Sequence, residues 1–251
     1  MSASTNHLDD QHRVYEKRSL EVGEEFHRYA DWIMRPLLPH IHGRVLEIGA
    51  GLGTIAARYV DRTTSAVLLE PAQNLHAMLA TRMRPRLHVQ TVCGFVDEVV
   101  GRQVDGVDFG RGSFDTVVMV NVLEHIADDT GTMALVRTLL RPHGRVVVFV
   151  PALPALFGSY DEKVGHVRRY TKRGLRGLVT MRDFRVAELA YVDLVGMAPW
   201  FVSGRLLRQQ EVGQRSAQFY DRAVVPVARA IDRLSGPPIG KNLRCVAYAP
   251  G

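Results

Sequence analysis

Gly49, Gly51 and Gly53 follow the apolar run Val45-Leu46-Glu47-Ile48. Glycines so spaced after a strand let the backbone turn sharply and approach a ligand where a Cβ would collide. Glu70 ends a second apolar run 19 residues beyond Gly51, where a carboxylate can accept both hydroxyls of a ribose. A dinucleotide site would carry G-x-G-x-x-G, and position 54 is Thr54. The pattern therefore suits a nucleoside without pyrophosphate better than NAD or FAD. Two further segments hold groups able to move a proton. One is Asn121-Val122-Leu123-Glu124-His125; the other runs from Pro151 through Phe157, Tyr160 and Asp161 to His166, Arg168, Arg169 and Tyr170.

These groups need elements to position them, and apolar periodicity supplies the order. Phe26, Tyr29, Ala30 and Ile33 recur at helical spacing, closed by Pro36 and Pro39. Strands are expected at Arg44–Ile48, Ala66–Leu69, Leu87–Val92, Thr116–Val120, Arg145–Val150, Arg185–Leu194 and Leu243–Tyr248. Helices are expected at Thr54–Val60, Ala72–Met83, Thr130–Leu140 and Lys172–Met181. Alternation of this kind predicts an α/β fold, a Rossmann-like, doubly wound, mostly parallel seven-stranded sheet, with ligands at the carboxyl ends of its strands. One domain over residues 1–251 is expected, with residues 1–12 a disordered tail. Residues 195–240 are too long for a simple connection and predict a helical cover over a substrate. Within it Phe219, Tyr220, Ala223, Val224, Val227, Ile231 and Leu234 follow one apolar face, Arg222, Arg229 and Arg233 lie on another, and Pro226 marks a kink or break.

With these motifs in order, the chain resembles the class I methyltransferases that use S-adenosylmethionine (SAM), in the large type 11/12-like branch acting on small molecules. The resemblance rests on Leu46-Glu47-Ile48-Gly49-Ala50-Gly51-Leu52-Gly53, Leu69-Glu70-Pro71, Phe114-Asp115-Thr116-Val117-Val118, Asn121 to His125, and Leu140-Arg141-Pro142-His143-Gly144. It implies SAM as cofactor and S-adenosylhomocysteine as product. The cofactor residues it implies are Tyr29, Glu47, Gly49, Gly51, Gly53, Glu70, Pro71, Gly94, Phe95 and Asn121. Gly49, Gly51 and Gly53 would flank the methionine part, Glu70 would hold the ribose, and Asn121 would lie near the amino-acid end. Many members place an Asp on the adenine after the third strand; Cys93-Gly94-Phe95-Val96 stands there instead, with Phe95 to pack on the base. In some quinone-pathway members an acidic cluster after the fourth strand binds a divalent cation, but its first acid corresponds to Asn121, and no metal is expected.

Methyl transfer from a sulfonium is an in-line displacement, dominated by positioning and helped by a base when the acceptor must lose a proton. The catalytic candidates are His166, His125 and Tyr160. Phe157, Tyr160, Tyr170 and Trp200 are the candidate substrate contacts; Phe157, Tyr160, Trp200 and Phe201 favour a flat aromatic or apolar acceptor, methylated at carbon, nitrogen or oxygen, as in natural-product biosynthesis. Against this stand structural roles: His125 packing at the start of a helix, and Asp161 pairing with Arg168 or Arg169 to shape the loop.

The net charge of +6 raises a nucleic-acid partner. Its densest groups, Arg82/Arg84/Arg86 and Arg168 to Arg176, carry no interleaved aromatic platform and are expected to be solvated. A nucleic-acid methyltransferase and a non-catalytic SAM-binding regulator stay as alternatives. Cys93 and Cys245 fall in apolar β-like runs and are expected to be buried thiols. No apolar run reaches the roughly 20 residues of a membrane span, and Met1 to His12 lacks the pattern of a secretory signal. The expectation is a cytoplasmic monomer or homodimer, with a small-molecule acceptor and without a membrane partner.

Overall fold

A computed structural model describes residues 27–209 and 213–251; Phe26 and the tail 1–12 lie outside the described residues. Helix α1 (His27–Met34) leads to β1 (Arg44–Ile48), β2 (Ser65–Glu70), α2 (Gln73–Met83) and β3 (Val89–Cys93). A short α3 (Val96–Val99) and a two-stranded hairpin, β4 (Gln103–Val104) with β5 (Val107–Asp108), precede β6 (Phe114–Val120). Then come α4 (Asp129–Leu139), β7 (Leu140–Pro151), α5 (Ser159–Lys163), α6 (Lys172–Thr180) and β8 (Arg185–Val192). The last strand, β9 (Asn242–Tyr248), follows a helical segment made of α7 (Met197–Trp200), a π-turn (Phe201–Leu206), α8 (Gln214–Phe219), a π-turn (Tyr220–Val224) and α9 (Val225–Ser235).

Seven strands form one sheet in the order β3-β2-β1-β6-β7-β9-β8, with β9 antiparallel to both neighbours and the other pairings parallel. The expected sheet is therefore present. Chain order reverses direction between β1 and β6, and the crevice at a switch point of this kind is where open α/β sheets bind ligands. The strands read as continuous apolar runs because both faces are covered. One core packs Leu46, Val117, Val148 and Cys245 against α4 and α6; the other packs Val45, Leu68, Val147 and Val246 against α1 and the cover.

Three local expectations are corrected. Thr54–Val60 is two 3₁₀ turns, Ala56–Arg58 and Val60–Arg62, rather than a helix. The tighter winding accompanies the inward turn of Tyr59, whose hydroxyl donates to Glu47 at 2.5 Å. Cys93 is exposed, because it sits where β3 runs out at the sheet edge; Cys245, in a central strand, is buried. In the segment 214–235 the inward face is Ala217, Asp221, Val225 and Ala228, while Phe219, Val227, Ile231 and Leu234 point outward. Asp221 is the anchor, accepting from the backbone N–H groups of Arg28 and Tyr29 at 3.1 and 2.8 Å.

Candidate active site

Two cavities open at the carboxyl ends of β1, β2 and β6. The first, about 520 Å³, is lined by Glu70, Pro71, Gly94, Phe95, Asp97 and Leu75 among others. The second, about 400 Å³, is lined by Tyr29, Glu47, Tyr160, His166, Arg169 and Trp200, with Tyr220 contributed by the cover and Lys241 by the residue just before β9. Gly49, Gly51, Asn121 and His125 belong to both. The cavities thus meet over the glycine turn.

That turn has the geometry its sequence requires. Gly49 and Gly51 have φ of +70° and +54°, in the left-handed region that side chains other than Asn and Asp rarely adopt. A Cβ on Gly51 would meet nothing within 4 Å, so the space beside it is open to a ligand. Gly53 serves otherwise: a Cβ there would strike Met83 and Leu79 of α2, and it lines neither cavity. The requirement for glycine at position 53 thus comes from close packing of the turn on α2.

Glu70 is 5% exposed and tied down by two backbone donors, Gly51 at 2.7 Å and Ala72 at 2.9 Å. Each carboxylate oxygen keeps a second lone pair for a ribose hydroxyl. Burial raises the Glu70 carboxyl, opposed by those N–H groups. The residues present therefore fit a nucleoside in the first cavity: an anchored carboxylate, an open glycine turn, and the ring of Phe95 beside Gly94. Asp97, two residues beyond Phe95, also lines this cavity. Sequence reading did not single it out.

On the other side, His166 is fixed by Asp161, Nδ1 to Oδ1 at 2.7 Å. Asp161 is fully buried, accepts from Arg169 Nε at 2.9 Å and takes the Gly158 N–H at 3.0 Å. Burial would raise its carboxyl, but the hydrogen bond from His166 and the Arg169 guanidinium outweigh it and hold it below the usual range. With Nδ1–H donated to an ionised Asp161, Nε2 of neutral His166 carries a lone pair. Nε2 lies 3.8 Å from Glu124 Oε1, and the His125 ring stands edge-on at 4.7 Å. Glu124 is fully buried, neither oxygen has a hydrogen-bond partner, and burial pushes its carboxyl up to about 8. Glu124, His125 and His166 place ligand atoms within 4.8 Å of one another, so this trio is also a geometrically adequate seat for a cation among the described residues.

The expectation of a purely structural ion pair and that of a positioned His166 meet in the same carboxylate. Asp161 does both. Arg169 departs from the solvated basic face expected of it: it is 5% exposed and lies with its guanidinium 5.0 Å from the Trp200 ring. Lys241 Nζ stands 5.2 Å from that ring and pairs with buried Asp193 at 2.9 Å. Tyr160 meets Trp200 edge-on at 4.8 Å, and the indole N–H of Trp200 is buried without an acceptor. Arg169, Tyr220, Lys241 and Asn242 are wall residues that sequence reading missed.

Two proposed substrate contacts are not at the wall. Tyr170 is 6% exposed and donates to Asp129 Oδ2 at 2.8 Å and to the Leu123 carbonyl at 3.1 Å, bracing α4 and the turn after β6. Phe157 lines neither cavity; its carbonyl accepts from Arg205 of the cover.

With this geometry the comparisons agree. A methyltransferase-domain family model matches residues 18–189, and the chain belongs to that family. It is a SAM-dependent methyltransferase of class I. A ubiquinone biosynthesis O-methyltransferase of Xanthomonas oryzae pv. oryzae (strain PXO99A) is 28% identical over 184 residues, covering 67% of this chain and 72% of the relative. A SAM-dependent methyltransferase from Mesorhizobium loti superposes with TM-score 0.61 at 14% identity, covering 87% of this chain and 97% of that one. The Haemonchus contortus phosphoethanolamine N-methyltransferase 2, solved with SAM, gives TM-score 0.56 at 15% identity over 89% of this chain and 57% of that one. No helix among the described residues is long and apolar enough to cross a membrane.

Proposed function

We propose that the chain methylates a flat, aromatic or apolar small molecule held in the second cavity, at an oxygen, nitrogen or carbon whose proton His166 removes. The observation that carries this reading is the shared wall. Gly49, Gly51, Asn121 and His125 border both cavities, so a nucleoside anchored by Glu70 and an acceptor resting on Trp200 meet over the glycine turn. Bound SAM supplies an electrophilic methyl group. Everything else is the protein's own work.

Glu70 and Phe95 hold the nucleoside, Asn121 and Glu47 face the amino-acid end, and Tyr29, Tyr160 and Trp200 present aromatic faces that orient a planar acceptor. Asp161 fixes the tautomer and direction of His166. Burial pushes the Glu124 carboxyl up to about 8, and its Oε1 stands 3.8 Å from Nε2 at the edge of the proton-accepting site. The nucleic-acid alternative loses its footing, since Arg169, counted in the basic cluster, points into the cavity. The test is a mass-spectrometric screen of phenols, indoles and aryl amines with SAM, watching for the gain of one methyl. Transfer only to oligonucleotides, or SAM binding with no transfer to any acceptor, would overturn the reading.

A further inference from the structure

Nine of the thirteen exposed large apolar side chains among the described residues lie between Phe201 and Ile239. Scattered exposed apolar residues are ordinary, but this concentration on one segment is not. The continuous run Gln214–Ser235 explains it, because its surface divides into three stripes. Ala217, Asp221, Val225 and Ala228 are buried against α1 and the sheet. Phe219, Val227, Ile231 and Leu234 form a second apolar stripe facing outward, with Phe219 68% and Leu234 88% exposed. Arg215, Arg222 and Arg229 recur every seven residues, which keeps them on one edge of a helix, and Arg233 joins them.

The charge on this surface has a single sign. Arg205, Arg208, Arg215, Arg222, Arg229 and Arg233 are exposed. The two described acids of the segment are not available to balance them: Asp221 is buried on α1, and Asp232 accepts from the backbone N–H groups of Asp193 and Leu194. An outward apolar stripe bordered by arginines is the pattern of a helix lying in a lipid interface. The π-turn Phe201–Leu206 adds Phe201, Val202 and Leu206, with Arg205 between them and Leu207 and Arg208 just beyond.

We propose that this outer face of the cover docks on a bilayer surface that carries anionic headgroups. A second copy of the chain fits less well, since a two-fold contact would bring the same arginine edge against itself. The patch lies on the same segment that contributes Trp200 and Tyr220 to the wall of the second cavity, each next in sequence to an outward residue, Phe201 and Phe219, so docking would act on the segment that borders that cavity. The absence of a spanning helix is unaffected by this, because an interfacial helix does not cross the bilayer.

Flotation of the full chain with vesicles tests the proposal, comparing phosphatidylcholine alone with mixtures containing about one third phosphatidylglycerol. The expected result is at least roughly tenfold tighter binding to the anionic vesicles, weakening as salt rises. Leu234→Asp should abolish it, and Arg222→Gln and Arg229→Gln should each weaken it on the order of fivefold. All three variants should keep wild-type SAM affinity by calorimetry, which separates loss of docking from loss of fold. Equal partition onto neutral and anionic vesicles, or none onto either, overturns the proposal. So does a doubled mass in light scattering that Leu234→Asp restores to monomer, which would assign the face to a second copy.

Discussion

At Glu70, the proposed ribose ligand, two backbone donors have already fixed where both oxygens point. Glu70→Ala should weaken SAM binding by about 1.5–3 kcal/mol, the range for losing hydrogen bonds to a charged group. Calorimetry reads it directly, and unchanged affinity would place the ribose elsewhere. As the proposed base, His166 should act on turnover instead. His166→Ala should lower kcat on the order of 10²-fold at unchanged SAM affinity, with partial rescue by added imidazole. A third expectation concerns Glu47 and Glu124, both pushed by burial from 4.5 up to about 8. A carboxyl whose folded value is raised holds its proton more tightly in the native state. Its contribution to stability is complete below about 4.5 and is lost as pH climbs towards 8. The ligand-free protein should therefore show a falling melting temperature across that window, and Glu47→Gln or Glu124→Gln should flatten the fall. A melting temperature that rises between pH 5 and 8, and is unaltered in shape by either substitution, would contradict the assignment.

At the scale of elements, the glycine turn and the segment after β6 are one mechanical unit. A Cβ on Gly49 would come within 2.6 Å of Val122 Cγ2, and Val122 follows Asn121 directly. Asn121 itself has φ +55° and donates its N–H to the Phe149 carbonyl at 2.8 Å, so it has little room to yield. Gly49→Ala should cost about 1–2 kcal/mol from the left-handed backbone alone and more from the clash. It should depress both thermal stability and SAM affinity. Adding Val122→Ala should recover the clash component but not the backbone component, a non-additivity that a double-mutant cycle measures. Full additivity would mean the two segments do not touch as described.

Across the whole molecule, the cover is joined to the sheet through charges. Asp193 at the end of β8 is fully buried and collects the Tyr220 hydroxyl at 3.0 Å, the Gly196 N–H at 2.8 Å and Lys241 at 2.9 Å. The cover, the end of β8 and the start of β9 thus converge beside the second cavity. Trp200 lies at the centre of that junction, between Arg169 and Lys241. Trp200→Ala should raise acceptor KM on the order of tenfold or change acceptor choice, since an aromatic face is worth about 1–3 kcal/mol there. SAM affinity should stay the same. Were only thermal stability to fall, the segment would be a structural cap without a part in selecting the acceptor.

The strands, the glycine turn and Glu70 could be read from residues alone because local rules govern them. A buried parallel strand must be an apolar run, a left-handed turn needs glycine, and the acid follows at the length of one βαβ unit. That they form one mostly parallel, seven-stranded sheet followed from their alternation. What only the tertiary structure decided depends on which groups meet across the fold. Asp161, His166 and Arg169 are a few residues apart, yet nothing in their spacing shows that the arginine is buried or that one carboxylate serves both partners. Tyr170 looked like a substrate contact and is a brace, since the proximity of Asp129 is a fact of packing. Lys241 and Tyr220 carried no motif and reach the cavity only because β9 returns antiparallel between β7 and β8. The cover shows the limit most plainly. Helical periodicity identified its apolar stripe, but the buried face is the one holding Asp221, because α1 offers two backbone N–H groups there and a buried carboxylate goes where its hydrogen bonds are.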